Sequence, residues 1–354
     1  NPLLAGIDGA SELSGAGAAY VLARALEREC GGPDNRDLAA LAVVGAVGDM
    51  QASGGELVGA NAAVAEEGVA AGALETGKDL ALYGTQTRPL PKLLEYAGEV
   101  HIPGVSDDEA GAVRFLEELG VDLKRDGEWR RWVDLDGEER RAVVSGLVRR
   151  AVERGVPADR IDGLVGTRYT LAAEEPGTEL RDASEFATLL NATARYDRAD
   201  VGLAVCLGDR GGALSAAREL LRTHRRNLSA GIELVREEGV TTGEYVQWFD
   251  AGDRIRETIV GIVAGMAMGS DGIDRDRPIV AFARKNDEET KVSSRGTPAL
   301  VRRGLDLGAA MSEAATAVEG EGGGHDVAAG ATIPAGRERR FVDRVDELVG
   351  EQLG

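Results

Sequence analysis

The run GGGHDVAAG, from Gly322, Gly323 and Gly324 through His325 to Gly330, is the stretch of this chain best suited to hold an anion. Glycines carry no Cβ, so their backbone N–H groups can turn toward a phosphate, and His325 at the edge can donate to a phosphoryl oxygen. Ala328, Ala329 and Gly330 are expected to open a helix that sits close to this cradle. The alternative reading is a plain flexible turn, because Glu319 to Gly324 also has the composition of a linker. Trp129, Arg130, Arg131 and Trp132 form either a base-stacking, phosphate-binding edge or a hairpin that tucks a tryptophan into a core. His101 and His224 have no partner at a metal-ligand spacing and read as structural or exposed. Cys30 and Cys206 lie far apart, which gives no disulfide framework, and both read as buried, reduced thiols.

The elements that must position these groups follow from periodicity. GAGAAYVLARALEREC, RDLAALAVVGAVGDM and GELVGANAAVAEEGVAAGAL read as three closely packed helices, and KDLALYG as a short strand. Thr85 to Gly104 contains Pro89, Pro91 and Pro103 and is expected to be irregular. Helices are expected over 107–119, 138–154, 182–196 and 213–238, the last long enough to connect domains. From about Thr242 the pattern alternates: a helix over 254–268, strands at PIVAFARK and KVSSR, a helix over 298–319. This is an α/β pattern.

Set beside these elements, the motifs resemble a known family. GGGH followed by AAG resembles the signature of the DHH-associated domain, and KVSSRGTP places Ser293 and Arg295 where that family has a serine and arginine facing the glycine turn. The resemblance implies that Arg295 grips a phosphate bidentately; a surface salt bridge is the bland alternative. Gly296 stands where a second serine is frequent. NPLLAGIDGASELSGAGAAYVLARAL and LAVVGAVGDM resemble archaeal RecJ-like proteins of the DHH phosphoesterase superfamily, and this makes Asp49 a ligand to catalytic Mn²⁺ or Mg²⁺. Without it, Asp49 would be a helix-end residue. LLNATARYDRADVGLAVCL similarly gives Asn191 and Arg195 as phosphate contacts, with Ala194 where the family commonly has glycine. GTQTRPLPKLLEYAGEVHIPGVSDDEAG and ETIVGIVAGMAMG resemble the archaeal branch.

The resemblance implies an α/β fold in five parts: residues 1–84 as the remainder of a DHH catalytic domain, 85–180 as a mostly helical insertion, and 181–210 as a return segment. A connecting helix over 211–241 and a substrate-binding DHH-associated domain over 242–354 complete it. The implied activity is metal-dependent exonucleolytic hydrolysis of single-stranded DNA or RNA. Two alternatives stand beside it: a non-catalytic scaffold with GINS and the replicative helicase as partners, and a phosphodiesterase for short oligonucleotides or cyclic dinucleotides. The DHH triplet and the upstream aspartate motifs do not occur in the sequence, and the chain opens on Asn1. The expectation is that they precede it and that the chain alone is nearly inactive, since Asp49 cannot hold two ions.

Composition sets the setting. There are 61 acidic against 41 basic residues, a formal net charge of −20, and only Lys78, Lys92, Lys124, Lys285 and Lys291 are lysines. Acid excess with lysine depletion points to a salt-adapted, haloarchaeal type of protein, in which screening shortens self-repulsion. No uninterrupted apolar run is long enough to cross a bilayer, and a cytoplasmic location is expected.

Overall fold

Several helices start where a side chain supplies a missing backbone partner, as Ser14, Asp108, Asp136, Thr297 and Asp306 do. In the computed structural model, which describes residues 2–52, 55–98, 100–270 and 272–354, the Ser14 hydroxyl accepts from the Gly17 N–H to start α1 (Gly15–Cys30), and Gly31 at φ 68° ends it. The chain divides into two units, residues 1–191 with 199–213, and residues 192–198 with 214–354.

In the first unit α1 packs on α2 (Ala39–Gly48), with α3 (Gly59–Ala70) beside them. A Cβ added to Gly45 would lie 2.3 Å from the Ala16 Cβ, so this contact requires glycine. Strand β1 (Leu74–Leu80) pairs antiparallel with β4 (Val165–Leu171). Between these strands lie α4 (Leu90–Glu95), α5 (Glu109–Glu118), the two-residue strands β2 (Lys124–Arg125) and β3 (Glu128–Trp129), α6 (Gly137–Glu153) and α7 (Ala158–Asp162). They enclose one core that includes Leu93, Ile102, Phe115, Trp132 and Leu147. Arg130 is 3% exposed and donates to both carboxylate oxygens of Glu139, at 2.7 and 2.6 Å. The WRRW segment is therefore a hairpin edge in which Trp132 enters the core, its indole N–H donating to Asp79 at 3.1 Å, while Trp129 stays 45% exposed. Helix α8 (Ala183–Arg195) carries buried Glu185, which accepts from the Gln86 N–H at 2.8 Å and from the Thr87 hydroxyl. Burial raises the Glu185 carboxyl above its usual range. Helix α9 (Ala199–Cys206) follows.

The second unit holds α10 (Gly212–Glu238) from Leu214 onward, and a six-stranded sheet of β5 (Thr241–Thr242), β6 (Gln247–Asp250), β7 (Ile279–Arg284), β8 (Glu289–Arg295), β9 (Glu321–Gly324) and β10 (Ala328–Pro334). The strand order is β5-β6-β7-β8-β10-β9, with β6 and β7 parallel and the other pairs antiparallel. Helix α11 (Val260–Ala267) packs on one face over Ile279, Ala281 and Ala283. α12 (Pro298–Arg302), α13 (Leu307–Thr316) and α14 (Glu338–Leu353) lie with the other face, where Phe282, Val292, Ala331, Met311 and Phe341 make the core.

Several expectations change. GGGHDVAAG opens no helix; it is β9, a three-residue loop and the start of β10. The 85–104 segment contains α4, because Pro91 falls in its first turn, where no N–H is needed. The 298–319 helix is broken near Gly304, whose φ is 111°, and the strand expected at KDLALYG ends at Leu80. Cys30, expected buried, is exposed at the end of α1, and Cys206 is half-buried. His224, read as structural or exposed, is buried. No described helix is long and apolar enough to cross a membrane.

Candidate nucleic-acid interface

Alternate residues of a strand share a face, and so do directly opposed residues of paired strands. Ser293 opposes Gly330, which opposes Gly323; Arg295 opposes Ala328, whose carbonyl accepts from the His325 N–H at 2.9 Å. Ser293, Arg295, Ala328, Gly330 and Gly323 therefore stand on one face, the face that α11 covers over β7. Beyond α11 this face is a floor of glycine and alanine with Arg295 at its border and His325 exposed at its rim. A Cβ on Gly323 would meet nothing within 4 Å.

The other two glycines serve the opposite side. A Cβ on Gly322 would lie 2.5 Å from the Met311 carbonyl oxygen, and one on Gly324, at φ 146°, would lie 2.6 Å from the Ala329 Cα. The missing side chain of Gly322 lets β9 lie against α13, and that of Gly324 lets the end of β9 lie against β10. The expected glycine turn is thus an edge strand, and of its three glycines only Gly323 presents an unobstructed surface. The loop between β9 and β10 is fixed by the Leu307 N–H donating to the Asp326 carbonyl at 3.0 Å and the Gly296 N–H donating to that of Val327 at 2.9 Å. Gly296 also makes room for Leu305, whose Cδ2 would be 2.7 Å from an added Cβ.

Arg295 is half-buried and spends one donor on the Ser294 carbonyl at 2.7 Å. A guanidinium has five N–H donors. Among the described residues no carboxylate pairs with Arg295 or with Arg195. Burial first, and then the charge of Arg195, push the Arg295 guanidinium below its usual range. A desolvated cation facing a second cation is stabilised by an anion placed near both. Arg195 is held by a reciprocal pair of bonds, its Nη1 donating to the Thr258 carbonyl at 3.3 Å and the Thr258 hydroxyl donating to its own carbonyl at 2.8 Å. Tyr196 next to it accepts from Asn227 at 2.8 Å and meets the His224 ring edge-on at 5.9 Å. Lys291, two residues before Ser293, joins the same face; the period of two along KVSSR was the available signal for it.

In the first unit Asp49 caps the C-terminal end of α2, across a small cleft from Asn191. The Asn191 amide donates to the Gly48 carbonyl at 3.4 Å, and Gln51 donates to the Asp49 carboxylate at 2.9 Å. A carboxylate at the negative end of a helix favours a cation. Even so, no group of three or more His, Cys, Asp or Glu among the described residues could hold a metal. One carboxylate does not fit a two-ion site.

Residues 82–165 match the DHH-CID domain and residues 244–351 the DHHA1 domain. The chain thus carries two regions similar to domains of the DHH families. An uncharacterized protein of Methanocaldococcus jannaschii is 28% identical over 353 residues, covering 100% of this chain and 71% of that protein. RecJ of Thermus thermophilus, solved in complex with Mn²⁺, superposes with a TM-score of 0.51 at 19% identity, over 96% of this chain and 36% of RecJ. CDC45 of Entamoeba histolytica gives a TM-score of 0.58 at 8% identity, over 94% of this chain and 72% of that one. These likenesses show the fold. The chain spans about a third of the length of the RecJ chain it matches. The DHHA1 match contains the floor, Ser293, Arg295 and His325; the DHH-CID match contains the core around Trp132.

Proposed function

We propose that this chain binds single-stranded DNA or RNA through the open face of its DHHA1 sheet, as part of a divalent-metal-dependent exonuclease. One observation carries the reading: a floor of glycine and alanine beside Arg295, a half-buried guanidinium with no acidic partner among the described residues. Backbone phosphate needs close approach and charge-assisted donors, and this face offers both. Ser293 and His325 supply further donors, with Arg195 the second cation; in the first unit, taken by itself, Asn191 is proposed as a phosphate contact and Asp49 as a metal ligand. Phosphate binding by an acidic chain is consistent with short arginine contacts replacing long-range attraction in molar salt. The RecJ likeness and the Mn²⁺ in the Thermus structure support a metal-dependent nuclease as the parent chemistry. The described donors do not make a two-ion site, so the activity proposed for the chain itself is strand binding.

Anisotropy of fluorescein-labelled dT20 in molar KCl tests this. The chain should bind, and Arg295→Ala should weaken binding about tenfold, as expected for a lost charge-assisted contact. Equal binding by both proteins would overturn the reading. Strand binding with no hydrolysis in Mn²⁺ by any longer form of the protein would favour the non-catalytic scaffold.

A further inference from the structure

Arg295 does not choose its own position. Helix α11 crosses its flank, and the residue facing it there is Gly261: an added Cβ would lie 2.8 Å from the Arg295 Nη2, 2.9 Å from the Ser293 Oγ and 3.1 Å from the Ser293 Cβ. Gly265, one turn later, differs. Its added Cβ would stay 3.8 Å from the Arg295 Cγ and Nε, which is ordinary contact. The same helix buries Val260, Val263 and Ala264 against the sheet, so its height above β8 is fixed by packing that Gly261 does not share.

We propose that Gly261 is a positioning residue: the space left by its missing side chain holds the Arg295 guanidinium beside the glycine floor, where it meets the phosphodiester of a bound strand. The proposal rests on the strand-binding reading above and names what places its principal cation. Of the three contacts a methyl group would make, the shortest is with the far end of a flexible side chain, so Arg295 is the group that moves. Its guanidinium then leaves the floor. The helix itself gains, because alanine is favoured over glycine within a helix.

The test is a double-mutant cycle on the complete chain, read by dT20 anisotropy and by thermal melting. Gly261→Ala should weaken dT20 binding about as much as Arg295→Ala does, roughly tenfold, while Gly265→Ala binds as the unmodified chain. In the Arg295→Ala background, Gly261→Ala should cost no further affinity, and any melting temperature it lost beside Arg295 should return. That recovery separates positioning from general damage, and it can be read even if the single variant binds poorly through partial unfolding. Binding by Gly261→Ala equal to the unmodified chain, with Arg295→Ala weakened, overturns the positioning role alone. So does an undiminished melting loss in the Arg295→Ala background, which would place the clash on Ser293. An Arg295→Ala chain that binds normally overturns the strand-binding reading and the positioning role with it.

Discussion

At the scale of single residues, His224 gives a pH signature to the second unit. Its ring is buried with Nδ1 lacking a hydrogen-bond partner, against the edge of Tyr196. Burial first, then the charges of Arg195 and Arg225, hold it below the ordinary imidazole value of 6.5. Arg256 lies over the Tyr196 ring at 5.1 Å and adds another cation nearby. A histidine depressed in the folded state is neutral there, and the unfolded chain takes up its proton first. The stability it preserves is complete above pH 6.5 and is lost as pH falls below that value. Melting temperature should therefore drop from about pH 7.5 to about pH 5.5, and His224→Leu should flatten part of that drop; an unchanged slope in the variant would assign it to other groups. The histidine was visible in the sequence, but its burial was not, because nothing in LRTHRRNLSAG marks the one face of α10 that turns inward.

At the scale of elements, the β9–β10 hairpin shows where the sequence misleads. Helices α1 and α6 were legible from their apolar periodicity, and the structure adds caps at their starts, Ser14 for one and the Asp136–Glu139 capping box for the other. The glycine run carries no such mark: Gly and Ala fit turn, helix and strand alike, and the β-branched signal begins only at Thr332 and Ile333. Ser293 and Arg295 could be placed on one face by strand periodicity, whereas the neighbouring floor required the register of three strands. Two glycines distinguish packing from access. Gly324→Ala forces a side chain at φ 146° into Ala329 and should lower stability by about 1–3 kcal/mol. Gly323→Ala meets open space, so it should melt within a degree or two of the unmodified chain yet weaken dT20 binding. Parallel melts and anisotropy titrations check both. Loss of stability in Gly323→Ala would mean the floor is not open.

At the scale of the whole molecule, charge dominates. A formal net charge of −20 repels itself at low ionic strength, where the Debye length is about 30 Å, and far less at 1 M, where it is about 3 Å. Unfolding followed against KCl should give rising stability up to molar salt. Highest stability at low salt would remove the salt-adapted reading. Many of the chain's ion pairs join arginine to nearby acids, as Arg344 does with Glu347 and Glu313. Such exposed pairs each contribute little, so screening of the bulk repulsion outweighs their weakening. The overall α/β class and its helical and sheet-rich regions followed from periodicity, while the β1–β4 pairing, which joins Leu74 to Leu171 across nearly a hundred residues, had no local signal.

The three tryptophans also divide the chain optically. Trp132 is sealed in the first core with its indole N–H on Asp79, Trp129 projects from the β2–β3 hairpin beneath the Lys124 ammonium at 4.6 Å, and Trp248 lies half-buried on β6 under Arg339 at 5.1 Å. Their emission should separate into a blue, quencher-resistant component from Trp132 and a redder one from Trp129 that iodide or acrylamide reaches first. Trp248 then serves as the native fluorophore of the DHHA1 sheet, and single-tryptophan forms of the chain could follow each unit without an attached dye.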